Sequence, residues 1–505
     1  MTRISRWLVL TAFLLQAGFF LFVARHRLID GDEGFYLLAA RLVLQHKTPY
    51  LDFFYPQAPL LPYVYAAWLK VGGISWFVGR ALAALLTTLI GTMLFEQVYH
   101  ETRSAAASAT SVILFASSTL VFCWLPVVKT LSLATFFLFA SYVLLARLGD
   151  TGGAWLAALS GVLFGLGVDT RSYLIVVVPI FLWWIWRAEK LFRVSRLLWF
   201  SAGLLAGLAP SFLLFFRSPD VFLFNNLGYH AIRSDEGLVG DWHNKLLMLL
   251  ALFGGSQRRF QVSGLVVICA LMFFRLSQRR PAASFALGIA LLLGVVSLLP
   301  TPAYIQYFSV VIPFLITGTM CLLPDFLAQL QSPTSQRNVR IAGIVFVALF
   351  ILAGVPTFRQ FLQIWQTKPY LKDVADPQSW TLEQVSAVSA ALDQVSAPGE
   401  PVASFWPGYI FASHANSYRG YEDSFGMLVA GYLDPAQRRR YHVRAGDDIA
   451  ADLAGHGPRL VVVGNQGLEN GSPPASACIS ALGVSGYTPI VQVGETYIYA
   501  CCSNP

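Results

Sequence analysis

The chain has 505 residues, 56% of them hydrophobic and only 12% charged, with a mean hydropathy of +0.59. A soluble globular domain carries about 25% charged residues, so this composition excludes a large soluble enzyme and describes a polytopic α-helical membrane protein. The net charge of +8 does not indicate nucleic acid. No stripe of Lys and Arg interleaved with aromatics is present, and in a membrane protein excess cation gathers in cytoplasmic loops.

Arg3 and Arg6 precede an apolar run from Trp7 to Ala24. The run is long for a signal peptide and no small-x-small cleavage site follows, so it reads as a retained first span. Next comes Asp30-Gly-Asp-Glu-Gly-Phe-Tyr36, three acidic side chains where the chain leaves lipid. The loop holding it, about 25–76, is far longer than two neighbouring helices need. It contains two short amphipathic pieces, Gly34–Gln45 and a second starting near Pro59 and running through Tyr65, Trp68 and Leu69. Between them lies Tyr50-Leu-Asp-Phe-Phe-Tyr-Pro-Gln-Ala-Pro59, whose aromatics either anchor the membrane interface or form a platform for a sugar ring.

Further runs long enough for a spanning helix, roughly 17 to 25 residues, follow at 77–97, 105–124, 127–147, 153–168, 172–187, 197–216, 260–275, 282–300, 304–323 and 340–356, about eleven spans in all. Lys245–Phe253 is too short to cross and reads as interfacial or re-entrant. With the N-terminus inside, alternate loops collect Arg103, Arg147, the set Arg187/Lys190/Arg193/Arg196, then Arg275/Arg279/Arg280 and Arg337/Arg340, as the positive-inside rule requires. Odd parity then places the tail outside. The chain therefore divides into a transmembrane domain, 1–356, and an extracytoplasmic domain, 357–505.

In the tail, Thr381-Leu-Glu-Gln384 is a capping pattern followed by Val385, Val388, Leu392 and Val395 at helical spacing. Strand-like runs at Val402–Trp406, Arg459–Val463 and Ile490–Ala500 follow, separated by turn residues, which predicts a small α/β domain. Cys123, Cys269 and Cys321 fall in apolar spans as packing residues, whereas Cys478 has a disulfide partner available in Cys501 or Cys502. Asn225–Lys245, with His230, Arg233, Asp235, Glu236, Asp241 and His243, is either a solvated loop or a mobile lid. Arg438-Arg439-Arg440 reads as a solvated helix end or a headgroup contact, and Trp406, Tyr409, His414 and Arg419 are candidates to face a membrane cavity.

DGDEGFYLLAARLVLQHKTPYLDFFYPQAPLLPY resembles the first luminal loop of the GT-C superfamily of membrane glycosyltransferases. It is most similar to the branch, glycosyltransferase family 39-like, that contains the protein O-mannosyltransferases, lipid A aminoarabinose transferase and rhizobial galacturonosyltransferases. The likeness lies in the Asp-Glu pair after the first span, the following Tyr and Ala-Arg, and a Tyr-to-Pro-Leu segment about twenty residues on. The resemblance implies a GT-C fold and transfer of a hexose or pentose, with inversion, from a polyprenyl-phosphate donor. The acceptor would be a glycan, lipid or protein on the outer face of a bacterial inner membrane. Nucleic acid is not an expected partner; membrane lipid is.

By the same resemblance Asp32 takes the catalytic carboxylate position and Glu33 that of its acidic neighbour. A carboxylate can orient the acceptor and accept its proton; alternatively Asp32 and Glu33 together hold a divalent metal cation. Asp30 is of the same chemical type and stays a candidate. A lipid phosphate leaving group calls for cations, and Arg80, Lys129 and Arg171 lie near the outer ends of the second, fourth and sixth spans. Asp169, two residues before Arg171, either pairs with it or belongs to the site. Thr301–Ser309 is similar to the family's late Tyr-bearing segment, so Tyr304, Gln306 and Tyr307 are expected at phosphate or sugar, with Tyr55 and Gln57 as substrate contacts. Where aminoarabinose and some galacturonic acid transferases carry a Lys before a double proline, this chain has Gln57-Ala58-Pro59, so their donor specificity does not transfer. The competing readings are a transporter or flippase and a non-catalytic binder of lipid-linked glycans. A transporter predicts mid-membrane charge and paired broken helices, which the sequence lacks.

Overall fold

The computed structural model describes residues 3–148, 153–187, 190–233, 237–254, 256–276, 280–300, 302–330, 332–362, 377–464 and 475–501. Each expected apolar run lies in helix, but the helices differ in length. Four described helices are long and apolar enough to cross a membrane: Arg6–His26, Trp76–Thr102, Ile305–Ala328 and Pro333–Phe361. The pair Arg193–Gly207 and Ala209–Arg217 makes a fifth if it is one broken span. The rest are shorter, such as Thr130–Ala146, Ala154–Thr170 and Pro281–Val296. The sequence explains some of the shortening. The run 105–124 is cut at Ser118, whose extended backbone ends helix Ala105–Ser117 and starts Thr119–Phe122. Runs 172–187 and 304–323 open as 3-10 turns, Ser172–Val177 and Ile305–Val311, ahead of Pro179 and Pro313, which occupy the first turns of the following helices.

The described residues fall into two compact units. The first comprises 1–24, 83–210 and 236–359. Its tightest packing joins helices Ala154–Thr170 and Lys190–Gly207. A Cβ built on Gly161 would sit 2.1 Å from the Phe200 carbonyl oxygen, and one on Gly203 would sit 2.1 Å from that of Ala158. Only glycine allows the two backbones to come this close. Helix Thr130–Ala146 packs on the other side of Ala154–Thr170, tied to it by the buried Ser141–Ser160 hydroxyl pair at 2.8 Å. Phe139, Tyr142, Phe285 and Phe314 interlock edge to face beside it.

The second unit comprises 25–82, 211–235 and 360–505. Helix α1 (Gly31–Leu44) and helix α2 (Leu60–Gly72) are the two amphipathic pieces expected in the first loop. The tail contributes a five-stranded sheet of β1 (Pro401–Ser404), β2 (Asn416–Ser417), β3 (Leu460–Val463), β4 (Thr488–Val493) and β5 (Thr496–Ala500), in the order β2-β1-β3-β5-β4. β2, β1 and β3 run parallel, with Val402 opposite Leu460; β3, β5 and β4 run antiparallel, with Val461 opposite Tyr499. The expected single run Ile490–Ala500 is thus a hairpin, turned at Gly494 with its φ of 59°. Helix Leu382–Val395 starts as expected on Thr381, whose hydroxyl accepts the Gln384 amide, and buries Val385, Val388 and Leu392.

The segment Asn225–Lys245 is not an open loop among its described residues. A π-turn at Phe224–Gly228 leads into helix Tyr229–Arg233, and Gly237–Gly254 is one helix that takes in the Lys245–Phe253 segment. Phe54, Phe224, Tyr229 and Val429 share one core there, and Tyr441 stacks on Phe224 at 3.8 Å. Asp235 and Glu236 lie outside the described residues, as does Cys502 from the expected cysteine pairing.

Candidate active site

The acidic cluster is the first turn of α1, and its three carboxylates have separate jobs. Asp30 is the N-cap: its carboxylate accepts the Asp32 amide at 3.2 Å, and the Glu33 carboxylate accepts the Asp30 amide at 2.9 Å, closing a capping box. Glu33 is fully buried. Arg80 donates from Nε to its Oε2 at 2.8 Å and from Nη2 to its Oε1 at 2.6 Å. Arg80 also donates to the carbonyls of Arg27 at 2.6 Å and Leu28 at 3.1 Å. Arg27, buried under the Phe361 ring, lies 3.7 Å from Asp30 and 4.0 Å from Glu33. Two cations and two carboxylates thus lock the entry to α1. Asp32, half-buried, is the member of the trio held toward the surface.

The tail fixes the same turn from another side. Trp406 donates its indole N–H to the Gly31 carbonyl at 2.8 Å. A Cβ on Gly34 would meet the Trp406 ring at 2.7 Å and the Gly408 amide at 2.8 Å, so glycine is required at this contact. Phe35 meets Phe425 edge to face at 5.1 Å. About two turns on, the buried Arg41 guanidinium donates to the carbonyls of Ile410 at 2.6 Å, Phe411 at 3.3 Å and Ala415 at 2.6 Å. Trp406 and Tyr409 are therefore structural parts of this seat.

Two further carboxylates, which the sequence reading passed over, belong to the same neighbourhood. Glu422 and Asp423 are almost completely buried. Glu422 accepts the Gly420 amide at 2.6 Å, and Asp423 accepts the Phe425 amide at 2.9 Å. Burial pushes the Glu422 carboxyl up from 4.5 to about 7. It pushes Asp423 well above the ordinary carboxylate range, with Asp32 and Glu422 adding like-charge repulsion. Tyr55 is buried too, beside Tyr36 and Tyr50 at ring distances of 6.4 Å, and its backbone amide is held by Asn225 at 2.9 Å. Burial raises its phenol well above the usual value, with Tyr36, Tyr50 and Asp423 contributing. Tyr50 donates its hydroxyl to the Gln57 carbonyl at 2.5 Å, leaving the half-buried Gln57 amide side chain as the polar end of this aromatic segment. The signal was present in the sequence: Tyr421-Glu-Asp-Ser-Phe425 sets an acidic pair between aromatics, where charge is costly.

The first unit holds a separate cluster built from three distant stretches. Lys129, buried, donates to the Gln306 side-chain oxygen at 2.5 Å, and its ammonium lies 5.1 Å over the Trp124 ring. Arg171 donates to the Thr130 hydroxyl at 2.6 Å, next in sequence to Lys129. Its guanidinium is boxed by two rings, Tyr173 at 4.7 Å and Tyr307 at 4.5 Å. Tyr307 is held in place by the Ser297 hydroxyl bonding to its carbonyl at 3.0 Å, and Tyr304 packs on it edge to face. Five residues singled out from sequence, Lys129, Arg171, Tyr304, Gln306 and Tyr307, meet here, and Thr130, Trp124 and Tyr173 join them. Asp169 is fully buried two residues before Arg171.

The remaining candidates sort by their partners. Arg80 is committed to Glu33. Arg438 pairs with Asp447 and Asp448 in the tail, and Arg440 with Asp220 outside it. His230 meets the Pro56 carbonyl at 3.2 Å and His414 lies at Ser396 and Asp393. Asp32 and Glu33 do not fit a divalent metal. Both Glu33 oxygens already face the Arg80 guanidinium, and no three His, Cys, Asp or Glu are grouped to hold an ion among the described residues.

No family model and no curated protein sequence matches the chain. Solved structures do. ArnT from Cupriavidus metallidurans in the apo state is similar over 99% of this chain and 98% of its own, with 13% identity and a TM-score of 0.67. The same protein bound to undecaprenyl phosphate gives 12% identity, coverage of 100% and 99%, and a TM-score of 0.64. The arabinofuranosyltransferase AftD from Mycobacteria matches all of this chain over 40% of its own length, with 15% identity and a TM-score of 0.51. At these identities the likeness is one of fold: the chain shares the helical fold of these proteins, and it has described helices long and apolar enough to cross a membrane.

Proposed function

We propose that the protein is an inverting membrane glycosyltransferase that moves a hexose or pentose from a polyprenyl-phosphate carrier to a glycan, lipid or protein acceptor. Asp32 is the base. Its carboxylate accepts the proton of the acceptor O–H or N–H as that atom attacks the anomeric carbon, and the bond from that carbon to the phosphate oxygen breaks with its electrons passing to the phosphate. Lys129 and Arg171 stabilise the departing lipid phosphate, Arg171 as a planar fork and Lys129 as a point charge, with Gln306, Tyr304 and Tyr307 setting their positions. Asp30 and Glu33 hold α1 rather than react, and Arg80 serves Glu33 rather than substrate. In this reading about eleven segments cross a bacterial inner membrane. Residues 1–356 form the transmembrane domain and 357–505 an α/β domain on the outer face, where transfer takes place.

The observation that supports the reading most is the Arg171 box. Buried cations from two helices and aromatics from a third stretch gather at one place, and nothing in packing alone calls for a lysine and an arginine side by side. The likeness in fold to a protein crystallised with undecaprenyl phosphate agrees with it. The test is transfer by purified protein from a panel of polyprenyl-phosphate sugars, comparing wild type with Asp32→Asn. Asp32→Asn is expected to abolish transfer while donor binding stays near wild type. Transfer that is indifferent to Asp32→Asn rejects the assignment, and unchanged transfer after chelation is expected because the site does not fit a metal.

A further inference from the structure

We propose that Tyr55 and Asp423 form a subsite that hydrogen-bonds the hydroxyls of an uncharged sugar beside Asp32; this rests on the transferase reading and names the substrate class of its carboxylate site. The Tyr55 hydroxyl and the Asp423 Oδ2 are both buried, and neither has a hydrogen-bond partner among the described residues. Buried polar atoms are nearly always paired, so two unpaired ones in one neighbourhood mark a place where a ligand supplies the missing partners. Both lie on well-held backbone. Tyr55 is pinned by Asn225, and the Asp423 loop is pinned by the Phe425 amide and by Phe35 against Phe425.

The chemistry selects the ligand. The groups acting on Asp423 are Glu422 and Asp32; those acting on Tyr55 are Tyr36, Tyr50, Tyr65 and Asp423 itself. None of these is a cation, and both termini are hydrogen-bonding groups, which suits the hydroxyls of an uncharged sugar. Burial raises both groups and so favours their protonated forms, in which each both donates and accepts, as a sugar hydroxyl does. Phe35, Tyr36 and Phe425 supply apolar faces for the C–H side of a ring. The absence of a lysine at Gln57 fits a neutral sugar for the same reason.

The ligand sugar is carried either by the donor or by the acceptor, and the test separates the two. Purified protein in lipid discs is examined by infrared difference spectroscopy at pH 7. The probes are undecaprenyl phosphate bearing glucose, galactose or mannose, undecaprenyl phosphate alone, and free oligosaccharides of the same sugars. Wild type is expected to show the C=O stretch of a buried protonated carboxyl that Asp423→Asn removes. Aspartate labelled with carbon-13 at the side-chain carboxyl separates an aspartyl band from that of Glu422, and Asp423→Glu, which keeps an acid at the position but moves its band out of the labelled set, makes the assignment if Asp423→Asn does not fold. A neutral-sugar donor or oligosaccharide shifts the band, and whichever does so is the source. Tyr55→Phe raises the half-saturating concentration about tenfold. A missing band, a band indifferent to every neutral sugar, or an equal shift with undecaprenyl phosphate alone overturns the proposal. A sugar-dependent shift with no transfer by wild type from any of these donors would instead leave the subsite standing and remove the transferase reading, and Asp32-independent transfer would remove only the base role of Asp32.

Discussion

Replacing Arg80 by methionine distinguishes a cation that holds the fold from one that grips substrate. Arg80 and Glu33 are both fully buried, and the guanidinium makes two hydrogen bonds to the carboxylate and two to backbone carbonyls. Removing one partner of a buried pair strands the other charge, at a cost of about 3–5 kcal/mol. Arg27, at 4.0 Å, offers Glu33 only weak compensation because it also serves Asp30 and the Leu28 carbonyl. Replacing both partners by methionine removes the stranded charge, and such exchanges are often neutral or stabilising by about 1–4 kcal/mol. The prediction is that Arg80→Met and Glu33→Met each lower the thermal midpoint of detergent-purified protein sharply, and that the double variant recovers most of the loss. The assay is a thermal solubility scan of all four proteins, followed by donor binding on those that stay folded. A stable Arg80→Met protein with selectively weakened donor binding would refute the reasoning and return Arg80 to the phosphate.

Arg171→Lys keeps the charge but gives up the planar fork between Tyr173 and Tyr307, so undecaprenyl phosphate binding should fall by about 10- to 100-fold. Binding within about twofold of wild type would show that a point charge suffices. Gly34→Ala places a methyl into the Trp406 ring and the Gly408 amide, and should cost about 1–3 kcal/mol, read as a lower melting midpoint; an unchanged midpoint would mean that the tail can withdraw from α1. The Glu422 carboxyl binds its proton more tightly folded than unfolded, so its effect on stability is harmless below its ordinary value of 4.5 and grows as pH rises to about 7, levelling above. The rise corresponds to about 3 kcal/mol. Glu422→Gln should therefore remove the fall in melting midpoint between these pH values, and a fall that persists in the variant would assign it to another group.

The sequence made the cation cluster legible residue by residue and the carboxylate cluster only in part, and the difference is physical. A buried Lys or Arg in an apolar run stands out against lipid, so Lys129 and Arg171 could be found singly. Arg80 stood out for the same reason and turned out to face Glu33. Hydropathy reports that a buried cation must have a partner, not which one. The capping box at Asp30 and Glu33 follows a local spacing rule, and local rules are readable; it separates Asp32 from its neighbours by leaving it alone half-buried. Asp423 and Glu422 obey no local rule. Phe35 of α1 packs on Phe425 beside them, residues far apart in the chain, and the loop reads as a solvated acidic turn until α1 is laid against it. The same holds for segment lengths. Composition found each apolar run, but where helices break is set by single residues such as Ser118 and by prolines at first turns, which an average over a window conceals. A tail that reads as a separate domain contributes, through Arg41 and Trp406, the backbone contacts that hold Asp32 in place. Loss of the tail should therefore be judged by the geometry of α1 as much as by the folding of the sheet.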